Sequence, residues 1–164
     1  MKFLKHLLLT DTFLLRGHIN TGDQRLSTFL NTGLKSFLEM KEVTFVNHVQ
    51  GQCMTAGNVL IRVEEIRLAY EMEASGDEYM RMLAVKEPDE MPVVVQFGGA
   101  MAFQVSGKVG KHLIERDVSG PYNFVVMTDP KIQGFTGAES HEHAAWIDLP
   151  YVIVNRNRIA FVIH

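Results

Sequence analysis

"VLIRVEEIRLAY", Val59 to Tyr70, and "VIVNRNRIAFVI", Val152 to Ile163, are one pattern written twice. Placing Val59 on Val152 sets Leu60 on Ile153, Ile61 on Val154, Ile66 on Ile159 and Leu68 on Phe161, so apolar falls on apolar throughout. Between the runs stand Arg62 to Glu65 in one copy and Asn155 to Arg158 in the other, polar apart from Val63. Apolar run, tight polar turn, apolar run is the pattern of two strands joined by a short connection. Ile66 and Ile159 are expected to be buried alike.

The echo continues upstream at a slightly different offset. "FLLRGHI" (13–19) lies over "FQVSGKV" (103–109), with Phe on Phe, Gly17 on Gly107 and Ile19 on Val109. Earlier still, "KFLKHLLLTD" and "PVVVQFGGAM" each read as a strand running into turn-prone residues, so each copy opens with a hairpin. "FLEMKEVTF" (37–45) resembles "FVVMTDPKIQGF" (124–135) once a few inserted residues are allowed, and supplies a third strand.

Each copy therefore has five expected strands: 3–8, 12–19, 38–48, 58–63 and 66–72, then 92–97, 101–109, 124–133, 150–155 and 158–163. A short helix interrupts each copy. In the first it is "DQRLSTFLN", with Asp23 as the expected cap and Leu26, Phe29 and Leu30 on one face; in the second it is "KHLIERDVSG", stopped by Gly120 and Pro121. Residues 73–92 form a connector in which Glu73, Asp77, Glu78, Glu87, Asp89 and Glu90 outnumber Arg81 and Lys86, with a short helix expected over 77–85. The division is a first β repeat over 1–72, an acidic connector over 73–92 and a second β repeat over 93–164. Five short strands cannot bury enough surface alone. The expected architecture is mainly β: two tandem small-barrel-like units packed about a pseudo-twofold axis as one body.

Composition excludes several function classes. The chain has 164 residues, 46% hydrophobic and 21% charged, with a formal net charge of -3, which lacks the basic footprint of a general nucleic-acid binder. Cys53 is the single cysteine, so there is no internal disulfide or cysteine-based zinc site, and a reducing, cytoplasmic setting is expected. Asp11 interrupts the apolar opening "MKFLKHLLLTDTFLL", which reads as strand rather than signal peptide. No run is apolar enough to span a membrane as a helix.

Two groups carry candidate chemistry. "ESHEHAAW" offers Glu139, His141 and His143, an imidazole and carboxylate set suited to a divalent metal such as zinc or nickel, and equally the composition of a solvated loop. His112 and His164 are the histidines available as further ligands, though nothing in the sequence places them there. Asn155, Arg156 and Arg158 in "NRNR", with Arg62 and Arg67 of the first copy, offer guanidiniums and amides for a phosphate or carboxylate, although asparagine is also an ordinary turn residue. The glycines of "QFGGAM" lack the lysine and hydroxyl of a phosphate-binding loop. Cys53 and the serines stand in no nucleophile pattern, and no cofactor is expected beyond a metal.

"RLSTFLN" (25–31), "FVVMTDPKI" (124–132) and "VNRNRI" (154–159) resemble the pattern of an uncharacterised bacterial family of short β-rich domains, which runs Arg-Leu-Ser-x-Phe-Leu-Asn, then a Phe-Leu strand ending Thr-Asp, then Val-Asn-Arg-x-x-Ile. This chain divides that pattern between its copies, and the resemblance implies no activity. "VLIRVEEIRLAY" is also similar to the last strand pair of Sm-like RNA-binding barrels, which implies an Sm/SH3-like unit. Val63 stands where that family has glycine, Asn155 replaces Arg62 in the second copy, and the upstream Asp and Met-Asn signature is absent. The reading as a whole is a non-catalytic binding or assembly module that works with a protein partner or as a homo-oligomer. RNA binding through Arg62, Arg67, Arg156 and Arg158 is the alternative, and a membrane is not an expected partner.

Overall fold

In a computed structural model, residues 3–32, 35–73, 89–99, 102–111, 123–134 and 145–164 are described. They form β1 (Leu4–Leu9), β2 (Phe13–Ile19), α1 (Leu26–Asn31), β3 (Phe37–Asn47), β4 (Gln52–Arg62), β5 (Leu68–Glu71), β6 (Glu90–Phe97), β7 (Phe103–Gly110), β8 (Phe124–Gln133), β9 (Tyr151–Asn155) and β10 (Ile159–Ile163). Single 3-10 turns, Val63–Glu65 and Arg156–Arg158, occupy the polar gaps of the two echoed stretches. The expected helices over 77–85 and 111–120 lie outside the described residues, apart from Lys111.

Among the described residues all ten strands belong to one antiparallel sheet, in the order β10-β6-β7-β8-β9-β5-β1-β2-β3-β4. The first five strands lie in the order β5-β1-β2-β3-β4, the last five in the order β10-β6-β7-β8-β9, and β5 pairs with β9 where the two sets meet. The expectation of a mainly β chain holds. In place of two separately closed units, however, the hydrogen-bonded order is a single open line with β10 and β4 at its ends.

Local chemistry sets the hairpins. At the β1–β2 turn, Thr10 Oγ1 accepts from the backbone N–H of Phe13 at 3.1 Å. At the β3–β4 turn, Asn47 Oδ1 accepts from Val49 and Gln50 at 3.0 and 3.1 Å, and Gly51 takes the left-handed conformation that closes it; side-chain-bonded asparagine and glycine are suited to these places. β4 begins at Gln52, well before the expected start at 58, because its first half is exposed on both faces and shows no apolar alternation.

β3 and β8 bulge at matching places. Glu42 and Val43 face Gly17 alone between the pairs Arg16–Thr44 and His18–Lys41, and Asp129 and Pro130 face Gly107 alone between Ser106–Lys131 and Lys108–Thr128. In these bulges Glu42 and Asp129 take φ of 50° and 49°, and each faces a side-chain nitrogen of the other strand: His18 Nδ1 at 3.4 Å and Lys108 Nζ at 3.5 Å. Here the backbones approach too closely for a side chain. A Cβ on Gly107 would lie 2.8 Å from the Thr128 carbonyl oxygen and 2.7 Å from Met127 Sδ. Gly107→Ala is therefore expected to cost about 1–3 kcal/mol, the usual range for overpacking, seen as a lower denaturant midpoint at unchanged m-value.

Alternation along the central strands builds two cores, one on each face. Leu7, Leu9, Leu14, Leu68, Val152 and Val154 join the cluster around Phe97, Phe103 and Trp146, whereas Leu8, Leu15, Ala69, Tyr151 and Ile153 join that around Ile19, Met40 and Ile66. Each cluster takes residues from both strand sets. β1, β5 and β9 are thus covered on both faces, which is why they read as nearly continuous apolar runs.

α1 buries Leu26 and Leu30 in the second cluster, but Asp23 does not cap it. The helix starts at Leu26, with Arg25 in the cap position making no side-chain cap bond, and the side chain of Glu71 in β5 accepts from the Leu26 N–H at 2.6 Å. At the other end, Asn31 behaves as a short strand: its amide donates to the Phe124 carbonyl at 2.7 Å and its oxygen accepts from the Phe124 N–H at 2.8 Å.

Candidate functional site

The two echoed stretches meet in space. Leu68 lies opposite Val154 and Ala69 opposite Ile153, so β5 of the first stretch pairs with β9 of the second. Asn155, 2% exposed, fastens the seam twice, its backbone N–H donating to Arg67 O at 2.9 Å and its amide to Ile66 O at 2.8 Å, while its side-chain oxygen caps its own following turn by accepting from Asn157 N, 3.1 Å away. Arg158 reaches across to Glu65 Oε1 at 2.7 Å and donates from Nε to Glu64 O at 2.5 Å.

Beside this seam lies a cleft of about 490 Å³ between the sets, within the size range of small-ligand sites. Lys35, Ser36, Arg62 and Glu64 line one side; Asn123, Asn155, Asn157 and Arg158 line the other. Arg62 is bound to Glu64 at 2.7 Å, with both side chains largely exposed. The cleft thus has three cations, amide groups and one lining carboxylate, an arrangement able to hold a small anion that competes with Glu64 for Arg62.

Of the residues the sequence singled out, Arg62, Asn155 and Arg158 come together here. Arg67 does not. Its guanidinium is buried, bonded to Asp11 Oδ1 at 3.0 Å and to the carbonyl of Gly98, so it ties the β1–β2 turn to the β6–β7 turn. Burial lowers its pKa from the usual arginine value and Asp11 works against that. Arg156 lies instead beside an apolar cavity against β10. Lys35, Ser36 and Asn123 were not legible as site residues, because they flank elements and join the cleft only through the seam. Glu139, His141 and His143 fall outside the described residues, as does His112. Among the described residues no three His, Cys, Asp or Glu side chains are grouped to hold a metal, and no helix is long and apolar enough to cross a membrane.

Next to the seam, His6 of β1 lies opposite Glu71 in the ladder and is fully buried, with Nδ1 2.6 Å from Leu4 O. Burial lowers its pKa below the ordinary 6.5. The folded chain keeps His6 neutral while the unfolded chain takes up a proton as pH falls through 6.5, so the unfolded state binds more protons there. Stability is expected to be fully present above pH 6.5 and to decline below it, and His6→Leu is expected to reduce that slope in denaturant titrations between about pH 5 and 6.5.

Compared with protein-family models, with curated proteins and with solved structures, the chain has no significant match in any of the three.

Proposed function

We propose that this chain is a non-catalytic, internally duplicated β module that works by assembly through its sheet edges. The observation that carries this reading is the exposure of apolar side chains on the two strands that end the sheet among the described residues: Leu60 of β4 is 69% exposed, and Phe161 and Ile163 of β10 are 55% and 58% exposed. Long edges with apolar side chains are templates for another strand, and proteins that stay monomeric blunt them with charge, proline or a covering element. The matched strand orders, the paired bulges opposite Gly17 and Gly107 and the similar φ of Glu42 and Asp129 support duplication of a five-stranded unit of Sm/SH3-like type. Native mass spectrometry of untagged protein at micromolar concentration tests the reading: multimers are expected, and a purely monomeric spectrum overturns it.

The cleft favours a second reading, a phosphate-bearing ligand such as a short RNA held by Lys35, Arg62 and Arg158. Affinity for a short single-stranded RNA should then fall steeply with salt through counterion release, and Lys35→Gln with Arg62→Gln should flatten the salt slope. No binding at low salt removes this reading.

A further inference from the structure

Resting on the assembly reading, we infer that β10 of one copy pairs with β4 of the next, head to tail, in the register that β5 and β9 use inside the chain. The internal seam supplies the template. There Leu68 and Ile153 are both 0% exposed, and each crosses over: Leu68 enters the cluster around Phe97 and Phe103, and Ile153 enters that around Met40 and Ile66. By the echo between the sets, Phe161 stands in the place of Leu68, and Leu60 in that of Ile153. These are two of the apolar side chains left exposed on the unpaired edges. The positions sealed inside the chain are open at its two ends.

The end strands also differ in the way that such a joint needs. Against β10 lies a cavity of about 260 Å³, lined by Val93, Val95, Val125, Met127, Val154 and Val162. Apart from Arg156 its lining is apolar, and its size suits the Leu60 side chain of an arriving β4. The echo that fits β5 to β9 inside the chain fits β10 of one copy to β4 of the next. The occupant is therefore a second copy of this chain. Because β10 and β4 are different surfaces, the contact is heterologous and repeats from copy to copy into a ring or a fibre.

The inferred register places Val162 of one copy opposite Leu60 of the next, as Ala69 stands opposite Ile153. In a Cys53→Ser background, Leu60→Cys with Val162→Cys should give a ladder of disulfide-linked multimers on mild oxidation, since directly opposed positions bring Cβ atoms into disulfide range. Leu60→Cys with Ile163→Cys should give little, because a slip of one residue turns the side chain to the other face.

Two charge variants make the test independent of cysteine chemistry. Leu60→Lys and Phe161→Lys, both at exposed positions, should each reduce the multimer to monomer with little change in unfolding midpoint. Mixed together they should form a one-to-one heterodimer, since one retains a good β10 and the other a good β4. Multimers that survive both lysine variants, or that fail to cross-link in this register, overturn the inferred joint and leave assembly by another surface. A wild-type monomer overturns the assembly reading itself. Loss of multimers in Leu60→Lys alone, with Phe161→Lys unaffected, would indicate a symmetric β4–β4 contact and also overturn the head-to-tail joint.

Discussion

Ile66→Asp is expected to lose roughly 3–5 kcal/mol of stability, whereas Ile159→Asp, at the matching position of the second echo, is expected to lose about 1 kcal/mol, an ordinary cost for a partly exposed site. Ile66 is 0% exposed and packs in the cluster around Ile19 and Met40. A carboxylate placed there has no cation to pair with in that apolar cluster, and an uncompensated buried charge costs roughly 3–5 kcal/mol. That is much of the total stability of a domain, about 5–15 kcal/mol. Ile159 is only partly buried, on the end strand β10. The sequence alone makes the two positions equivalent; the structure separates them, because β5 lies between β1 and β9 while β10, among the described residues, has a neighbouring strand on one side only. Denaturant titration of the two variants checks the contrast, and equal losses would mean that β10 is as enclosed as β5.

The same distinction explains what could be read from the sequence and what could not. Strand positions were legible wherever one or both faces are buried: β1, β2, β5, β8 and β9 all announce themselves by apolar alternation or continuous apolar runs. The first half of β4 was not, since "QCMTAG" is exposed on both sides and has no period to detect. Asp23 looked like a helix cap because capping preference is local, yet Glu71, distant in sequence, took that role. Joining of the two strand sets through β5 and β9 was invisible for the same reason: which edge meets which depends on long-range packing rather than on any residue type. In the candidate site, Asn155 and Arg158 could be found by turn chemistry and charge. Arg67 showed the limit of that reasoning, for a guanidinium in an echoed strand can equally be a buried tie to Asp11.

Glu71→Ala is expected to be the costliest polar substitution at the seam. The carboxylate is 3% exposed, with Oε1 accepting from the Leu26 N–H at 2.6 Å and Oε2 from the Tyr151 hydroxyl at 2.7 Å. One side chain on β5 thus holds the start of α1 and the start of β9, which belong to different strand sets. Its removal leaves two buried donors without these acceptors, each at about 1–3 kcal/mol. The expected loss is therefore roughly 3–5 kcal/mol, well above that of Tyr151→Phe, which removes one donor and leaves the carboxylate its helix contact, at about 1–2 kcal/mol. Combined, the two substitutions should cost less than the sum of the singles by about 1 kcal/mol, because residues that share a bond couple by that order. Strict additivity would show that the phenol and carboxylate contribute independently. Amide exchange gives a second readout: in Glu71→Ala, protection should fall at Leu26 and along Tyr151–Asn155 more than in β2 or β7. This is so because the lost carboxylate anchors α1 and the seam, while the interiors of the two strand sets keep their own apolar contacts.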